Sequence, residues 1–329
     1  MRKSLYFCIL LFFIRMKRNK VYLIALAVLT VLAGCSNDSD NIGNGSSNEI
    51  NINRNVVTDN LPSEVTRLEF PKLKNGNNYV IVHYAKEPGG TNKDVNYAVE
   101  WDTKKKANRW TCYIMTTNNQ QDIVKRKPYT STADQYPQDP NLPNSYRYST
   151  DPFRGSRYDH GHLCPSADRL YSRDANDQTF YLTNMIPQPH DFNAGMWEKM
   201  EAEVRRLLEK QVSFDLSHYK VDKDTLFVVK GGTMDKSDQI ARTLSNGLIV
   251  PKYNYCALLM KCHDGYMAMG FWFDQTKNYS DSDKPENYIV NIDELESLTG
   301  IDFFCNLPDE IENRIEGLPR ENLKRIWGY

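Results

Sequence analysis

Hydrophobic positions along the chain follow two patterns, one typical of β-strands and one typical of amphipathic helices. β-Branched and aromatic residues, which favour strands, dominate residues 79–85, 95–101 and 110–116. Residues 253–261 and 266–273 have the same character and flank an Asp-Gly pair, which is a strong hairpin signal. These segments predict five strands, the last two of them joined as a hairpin.

Two shorter apolar segments, 225–230 and 179–183, also predict strands. A helical period of apolar residues predicts one main helix over residues 193–211. A short helix with a capping glycine after it is predicted over 292–298, and a last helical segment over 308–315. Strands outnumber helices and do not alternate with them regularly. This predicts an α+β fold with a mostly antiparallel central sheet flanked by helices.

Proline positions mark one long irregular segment. Residues 127–153 contain five prolines and are predicted to form an extended loop that runs over the surface. Neither a repeat nor a change of composition divides the remainder of the chain. We therefore predict a single domain over residues 61–329.

The N-terminus has the pattern of an export signal. A basic flank precedes a short apolar stretch at residues 21–33, which is too short to span a membrane comfortably. It ends in Leu-Ala-Gly-Cys, which resembles a lipobox in which Cys35 carries lipid. This predicts a lipoprotein signal at residues 1–34 and a flexible Ser- and Asn-rich tether at 35–60. The alternative is a single N-terminal membrane anchor.

Lipid on Cys35 implies an exported bacterial lipoprotein, held at the outer membrane or the cell surface, with the periplasmic face as an alternative. Five cysteines follow Cys35, and their spacing fixes no disulfide pairing. Buried free thiols are the favoured interpretation for Cys112 and Cys256, because both lie among apolar residues. The others are Cys164, Cys262 and Cys305.

The net charge of −1 provides no general attraction to nucleic acid or to an anionic membrane. Any binding of a polyanion must therefore depend on a local basic surface. A hydrophobic fraction of 40% is enough for a substantial core.

The most informative polar cluster is Asp159-His160-Gly161-His162. Histidine suits a general base because its unperturbed pKa of about 6.5 is close to working pH. Asp159 is suited to orienting an imidazole or holding a metal-bound water, and Gly161 permits a close backbone approach. Solvent-exposed histidines in a loop are the simpler alternative. A zinc site of His160, His162 and Cys164 is another, although this spacing matches no common structural zinc pattern.

A second polar cluster lies on the predicted main helix. Asn193, Glu201 and Arg205 are separated by multiples of four residues, and each such step rotates by about 40° on an α-helix. All three therefore face one side. An amide oxygen suits Mg²⁺, which binds few protein groups and keeps several waters. The simpler alternatives are a Glu201–Arg205 ion pair and an N-cap role for Asn193.

At these residues the chain resembles the DNA/RNA non-specific endonucleases of the ββα-metal type. The family motif Asp-Arg-Gly-His reads Asp-His-Gly-His at residues 159–162. The family's Asn-x-x-Pro-Gln block is present at 184–188, and its helix block of Asn, Trp, Glu and Arg keeps every spacing over 193–205. The similarity extends to the segment 299–304 and covers roughly residues 75–315.

The resemblance implies a role for each matching residue. His162 would be the general base, and Asn193 the one direct ligand of Mg²⁺, with Mn²⁺ as the second candidate metal. Glu201 would act through a metal-bound water, Arg205 would stabilise the phosphate, and Asn184 would support the site.

One residue departs from the family motif. His160 stands where the family usually has an arginine, which is expected to contact phosphate. The departure implies lower activity, a preference for mildly acidic pH, or compensation by another basic residue. The candidates are Arg154, Arg157, Arg169 and Arg173. Together with the segments 104–106 and 125–127 they would form the local basic surface that the net charge does not show.

The expected function is hydrolysis of phosphodiester bonds in DNA and RNA by a metal-dependent endonuclease with little sequence preference. The first alternative is a nucleic-acid-binding lipoprotein of the same fold whose catalysis is weakened by His160. The second alternative is a zinc-dependent hydrolase.

Overall fold

The computed structural model describes residues 50–130, 134–210, 225–262 and 265–329. The predicted signal segment 1–34, with the lipid site at Cys35, lies outside the described residues, and lipid attachment stays a prediction. The same holds for residues 35–49 of the predicted tether and for Asp264 of the predicted hairpin turn. Among the helices that are described, none has the length and apolar character needed to cross a membrane.

An antiparallel sheet of seven strands lies at the centre of the fold, accompanied by two short hairpins. Within the described residues the strands are, in chain order, β1 (Asn78–Lys86), β2 (Lys93–Asp102), β3 (Ala107–Met115), β4 (Asp159–His162), β5 (Met185–Gln188), β6 (Leu226–Gly232), β7 (Ile240–Thr243), β8 (Ile249–Pro251), β9 (Tyr253–Cys262), β10 (Gly265–Asp274) and β11 (Ile289–Val290). The sheet order is β1-β2-β3-β6-β9-β10-β11, with β4–β5 and β7–β8 as separate antiparallel pairs. We call the first pair the β4–β5 hairpin, although residues 163–184 separate its two strands.

Five α-helices are present in the described part of the chain. They are α1 (Arg173–Gln178), α2 (Glu198–Lys210), α3 (Ile292–Thr299), α4 (Asp309–Glu316) and α5 (Arg320–Ile326). Together with the sheet they confirm the predicted α+β class.

Alternation of side chains along the strands gives the sheet two buried faces. On β2, Tyr97 and Val99 pack on one face, whereas Ala98 packs on the other. The apolar side of α2 covers the first face together with residues that flank the β4–β5 hairpin. Helices α3 and α4 cover the second face. The sheet therefore separates the β4–β5 hairpin and α2 from helices α3 and α4.

Two predicted elements differ from the structure. Residues 179–183 do not form a strand, because the Asn184 side-chain amide donates to the Thr179 carbonyl at 2.8 Å and closes the segment into turns. The predicted helix over 193–211 begins as a π-helical turn, Phe192–Trp197, and becomes α-helical only at Glu198. A π turn holds more residues than an α turn, so the 40° steps do not apply across it.

The described parts of the proline-rich segment 127–153 form an irregular loop, as predicted. One of its side chains is buried beneath the surface, which differs from the prediction of a surface loop. Its Asp139 carboxylate is fully buried and lies 2.9 Å from His83 Nε2 on β1. The Thr183 hydroxyl donates to the same carboxylate. This buried pair fixes the loop against the sheet and places Tyr136 beside the β4–β5 hairpin.

The five cysteines after Cys35 are buried, and Cys112, Cys164, Cys256 and Cys305 are free thiols. This confirms the interpretation of Cys112 and Cys256 as buried thiols within strands.

Within residues 50–60, which their composition assigned to the tether, the side chains of Asn51, Asn53 and Asn55 dock on the domain. The Asn55 side chain is 3% exposed and donates to the carbonyls of Val65 and Pro71, and it accepts from the Leu73 amide. The Asn53 amide donates to Asp302 and Glu312. Composition did not show these contacts because they depend on segments far away in the chain. Contact clustering assigns residues 48–329 to one compact unit.

We predict that a chain beginning at residue 61 is less stable than one beginning at residue 48. Each lost buried hydrogen bond costs about 1 kcal/mol, so the melting temperature should fall by several degrees in thermal unfolding. The point variant Asn55→Ala should reproduce part of that fall, whereas Asn60→Ala, at an exposed position, should not. Equal melting temperatures for the two truncated chains would show that residues 50–60 are a tether after all.

Candidate active site

The site is built on the β4–β5 hairpin, which presents Asp159, His160 and His162. The two strands are antiparallel, with Gly161 opposite Ile186 and Asp159 opposite Gln188. A Cβ atom at residue 161 would lie 2.2 Å from Gln188 Oε1. Glycine is therefore required by the close packing of this hairpin, and not only by a turn.

Asn184 fixes the chain where it leaves β4. Its side chain is fully buried; Nδ2 donates to the Cys164 and Thr179 carbonyls, and Oδ1 accepts from the Cys164 amide at 2.9 Å. All these contacts are with backbone groups. The geometry matches the supporting role implied by the resemblance and gives Asn184 no contact with a reacting group.

The π-helical turn and α2 dock directly on the hairpin. Trp197 Nε1 donates to the His162 carbonyl at 3.0 Å, and the Trp197 ring is buried in the core beneath it. At the start of the π turn, the backbone N–H of Asn193 donates to the Pro189 carbonyl. Hairpin and helix thus form one ββα unit.

His162 has an acceptor that no protein group uses. Its Nε2 atom is buried and has no hydrogen-bond partner among the described residues. The ring packs edge-on against Phe180, with centroids 5.2 Å apart. Burial lowers the pKa of the imidazole from 6.5 to about 3, and the charge of Arg126 acts in the same direction. The ring is therefore neutral at pH 7 and can accept a proton at a free nitrogen.

Asp159 orients the Asn193 amide. Asn193 Nδ2 donates to Asp159 Oδ2 at 3.0 Å, and His190 Nδ1 lies 2.8 Å from the same oxygen. A carboxylate only accepts hydrogen bonds, so the amide must turn its nitrogen to Asp159. Its Oδ1 is thereby left for another partner. The side chain makes this tertiary contact, and it does not cap the helix.

Glu201 lies in a more buried position. Its Oε1 is 3.5 Å from Nζ of Lys230, a lysine on β6 that is fully buried. Burial raises the pKa of the Glu201 carboxyl to about 7, and the charge of Lys230 opposes that shift. The Lys230 ammonium also lies over the Trp197 ring, 5.6 Å from its centroid.

Arg205 forms an ion pair with Asp168 and not with Glu201. Its Nη1 donates to Asp168 Oδ1 at 2.8 Å, and the Tyr113 hydroxyl donates to Oδ2 of the same carboxylate. The alternative of an i,i+4 ion pair between Glu201 and Arg205 is therefore wrong. The arginine remains partly exposed, at 28%.

His160 is held in a stack. Its ring lies parallel to that of Tyr136, with centroids 3.7 Å apart, and Phe153 stacks on it at 4.3 Å. Nε2 lies 3.0 Å from Asp151 Oδ2. The histidine therefore links the proline-rich loop to β4, which leaves it poorly placed to replace the missing arginine.

The arginines expected to compensate have different surroundings. Arg169 is fully buried and donates to backbone carbonyls of Asn96 and Ile114. Arg173 pairs with Asp177. In contrast, Arg126 is exposed, lies over the Phe180 ring with Cζ 5.0 Å from the centroid, and is close enough to lower the pKa of His162.

The predicted zinc ligands do not converge. Within the described residues, the one group of three His, Cys, Asp or Glu side chains whose ligand atoms meet lies elsewhere, on α3 and α4. Burial raises the pKa of the Cys164 thiol to about 12, which disfavours the thiolate that zinc requires. The zinc alternative is therefore wrong in its geometry.

Sequence reasoning missed several residues of the site. His190 and Asp168 lie within or beside the recognised motifs, and their position there was the available signal. Lys230 was hidden in an apolar strand pattern, and Tyr136 lies in an irregular segment. The segment 125–127 was predicted to be part of a basic surface, but the sequence did not single out Arg126 within it. No local pattern pairs these last three with the hairpin.

Comparison with known proteins places this geometry in a family. The model of the DNA/RNA non-specific endonuclease family matches residues 76–310. The chain is 27% identical over 225 residues to the mitochondrial nuclease EXOG of Xenopus laevis, covering 65% of this chain but only 58% of that relative's length. It is 27% identical to Nuclease C1 of Cunninghamella echinulata, covering 64% of this chain and 81% of that nuclease.

A third relative, a nuclease from Nostoc, is 27% identical over 67% of this chain and 75% of its own length. Among solved structures, the EndoG/EndoGI complex contains a similar fold, with a TM-score of 0.56 and 21% identity over 76% of this chain and 95% of that one. That likeness supports the fold alone. The family match covers most of the chain, so the chain belongs to the DNA/RNA non-specific endonuclease family.

Members of this family are metal-dependent hydrolases. The residues at the hairpin fit a hard cation. The Asn193 amide turns its nitrogen to Asp159, so its oxygen is the atom available to a metal.

Proposed function

We propose that this chain is an endonuclease that hydrolyses phosphodiester bonds in DNA and RNA with little sequence preference. The observation that carries the proposal is the buried Nε2 atom of His162, which has no hydrogen-bond partner among the described residues. Close to it in the fold, Asn193 donates its side-chain nitrogen to Asp159, which leaves the amide oxygen available. Family membership supports the same reaction class.

In this proposal His162 accepts a proton from water at Nε2. A neutral imidazole is required for that step, and burial keeps the ring neutral at pH 7. The Trp197 hydrogen bond to the His162 carbonyl holds the backbone that carries the ring. Positioned general bases typically contribute a factor of roughly 10²–10⁴ to the rate.

Asn193 would hold Mg²⁺, or Mn²⁺ as the second candidate, through Oδ1. Such a cation supplies charge stabilisation to the phosphate and to the leaving oxygen. Glu201 would act through water, in balance with its ion pair to Lys230. Arg205 is held by Asp168 through Nη1, which leaves its other N–H groups for a phosphate oxygen.

Low sequence preference follows from the kind of contacts the site offers. Phosphate contacts provide affinity and register but carry no base information. Arg126 and Lys127 both lie over the Phe180 ring, which packs edge-on against His162. We therefore assign the local basic surface predicted from the sequence to this part of the 125–127 segment.

The proposal predicts that the full chain cuts supercoiled plasmid in the presence of Mg²⁺. His162→Ala and Asn193→Ala should each reduce the cleavage rate by at least 100-fold, because one removes the base and the other the metal ligand. Asn92→Ala, at an exposed position of the same residue type, is the matched control and should cut at the wild-type rate. The measurement is gel analysis of nicked and linear products over time.

Intact plasmid with the wild-type chain would contradict the enzyme proposal. If that chain still retarded DNA in a gel-shift assay, the nucleic-acid-binding alternative would replace it. Equal cleavage by the wild type and His162→Ala would remove His162 as the base.

We further propose that Arg126 supplies the phosphate contact that the family's arginine would make at position 160. Removing a charge-assisted hydrogen bond costs about 1.5–3 kcal/mol, so Arg126→Ala should slow cleavage roughly 10- to 100-fold. Arg242→Ala removes the same charge from an exposed position on β7 and should change the rate little. A rate for Arg126→Ala equal to that of Arg242→Ala would refute the assignment.

A further inference from the structure

Three carboxylates converge at the corner between α3 and α4, on the opposite face of the sheet from the hairpin. Asp293 and Glu296 come from α3, and Glu316 is the last residue of α4. One oxygen of each lies within 4.8 Å of an oxygen of each of the others. Packing against the second sheet face fixes both helices, through Ile292 and Ile315 among others.

The cluster contains a buried acceptor with no partner. Glu316 is 5% exposed, and its Oε1 makes no hydrogen bond in the described part of the chain. Leaving such a group unpaired normally costs free energy. The next residue, Gly317, brings the backbone so close that a Cβ there would lie 2.7 Å from Asp293 Oδ2. The Asp293 carboxylate is thus packed against the chain that carries Glu316.

In the part of the chain that the structure describes, no cationic side chain pairs with this group. Among the ion pairs between described residues, none uses Asp293, Glu296 or Glu316. Glu296 Oε1 accepts one hydrogen bond, from the Phe303 amide at 2.7 Å. Two more carboxylates nearby, Asp302 and Glu312, add negative charge and share only the neutral amide of Asn53.

We propose that Asp293, Glu296 and Glu316 form a calcium site that is separate from the catalytic metal site. All three ligands are hard oxygen donors, which select Ca²⁺ or Mg²⁺ over softer metals. Calcium–oxygen distances are about 2.3–2.6 Å, so three oxygens on one calcium ion lie at most about 4.5 Å from one another when evenly spaced. The three carboxylates lie within 4.8 Å of one another, so small rotations of their side chains would bring them onto one ion. Magnesium holds its ligands at about 2.0–2.1 Å and demands a tighter octahedron. Asp293 is exposed and gives the ion a path from solvent.

The site would stabilise the corner on which the N-terminal segment docks. Asn53 bridges Asp302 and Glu312, and the Ile52 amide donates to Asp309 at the start of α4. Binding of a cation to the folded state alone raises stability with its concentration. Calcium should therefore protect the domain from unfolding without taking part in phosphodiester cleavage.

The test is calorimetric titration of the full chain with CaCl₂, using Asn193→Ala to remove the catalytic metal ligand. Asn193→Ala should bind one Ca²⁺. Adding Asp293→Asn and Glu316→Gln should weaken that binding at least tenfold. Adding Asp281→Asn and Glu310→Gln instead makes the same charge change at exposed positions and should leave it unchanged. Calcium binding of equal affinity in both combined variants, or no binding by Asn193→Ala, would overturn the proposal.

Thermal unfolding provides a second measurement that does not depend on calorimetric heats. In chelator, the Asp293→Asn, Glu316→Gln variant should melt at or above the wild-type temperature, because it removes like-charge repulsion. In millimolar Ca²⁺, the wild-type chain should gain several degrees and the variant should not. A calcium-dependent gain of equal size in the two chains would count against the site.

Discussion

The candidate catalytic unit depends on the junction between a four-residue strand and a helix, and a hydrogen bond from Trp197 is central to that junction. Trp197 Nε1 donates to the His162 carbonyl at 3.0 Å from a side chain that is buried in the core. Because the ring is immobilised by packing, the carbonyl is held too, and with it the imidazole of His162. Asn184 holds the chain on the other side of the strand through backbone groups of Cys164. A strand this short has only a few ladder hydrogen bonds of its own, so these two side chains define its position.

The residues of the motif 159–162 have two different roles: some build the site, and His160 packs against the proline-rich loop. Gly161 admits the Gln188 side chain between the strands, and Asp159 turns the Asn193 amide so that its oxygen is free. His160, in contrast, is used for packing: Tyr136 and Phe153 stack on its faces and Asp151 pairs with its Nε2. An arginine there would be longer and fully charged. The stack accounts for histidine at this position as a link to the proline-rich loop.

Much of this was predictable from the sequence because it is encoded locally. Strand patterns located most of the central sheet, and the spacing of Asn193, Trp197, Glu201 and Arg205 identified the helix motif. The charge partners were not predictable in the same way. Arg205 pairs with Asp168 and Glu201 with Lys230, and each pair joins segments that meet only through the tertiary fold. The π turn at Phe192–Trp197 likewise shifts the phase of the helix without a clear mark in the apolar period. The docking of Asn53 and Asn55 was hidden because a polar composition, which usually indicates a tether, here supplies buried hydrogen bonds.

The proposed mechanism requires that Asp159 turns the Asn193 side-chain amide so that its oxygen holds the catalytic cation beside His162. The most direct measurement is an anomalous diffraction map from crystals of the His162→Ala chain grown with Mn²⁺. We expect an anomalous peak next to Asn193 Oδ1, and we expect it to disappear when the Asn193→Ala substitution is added. A map with no peak at Asn193, or one in which the peak persists without the asparagine, would contradict it.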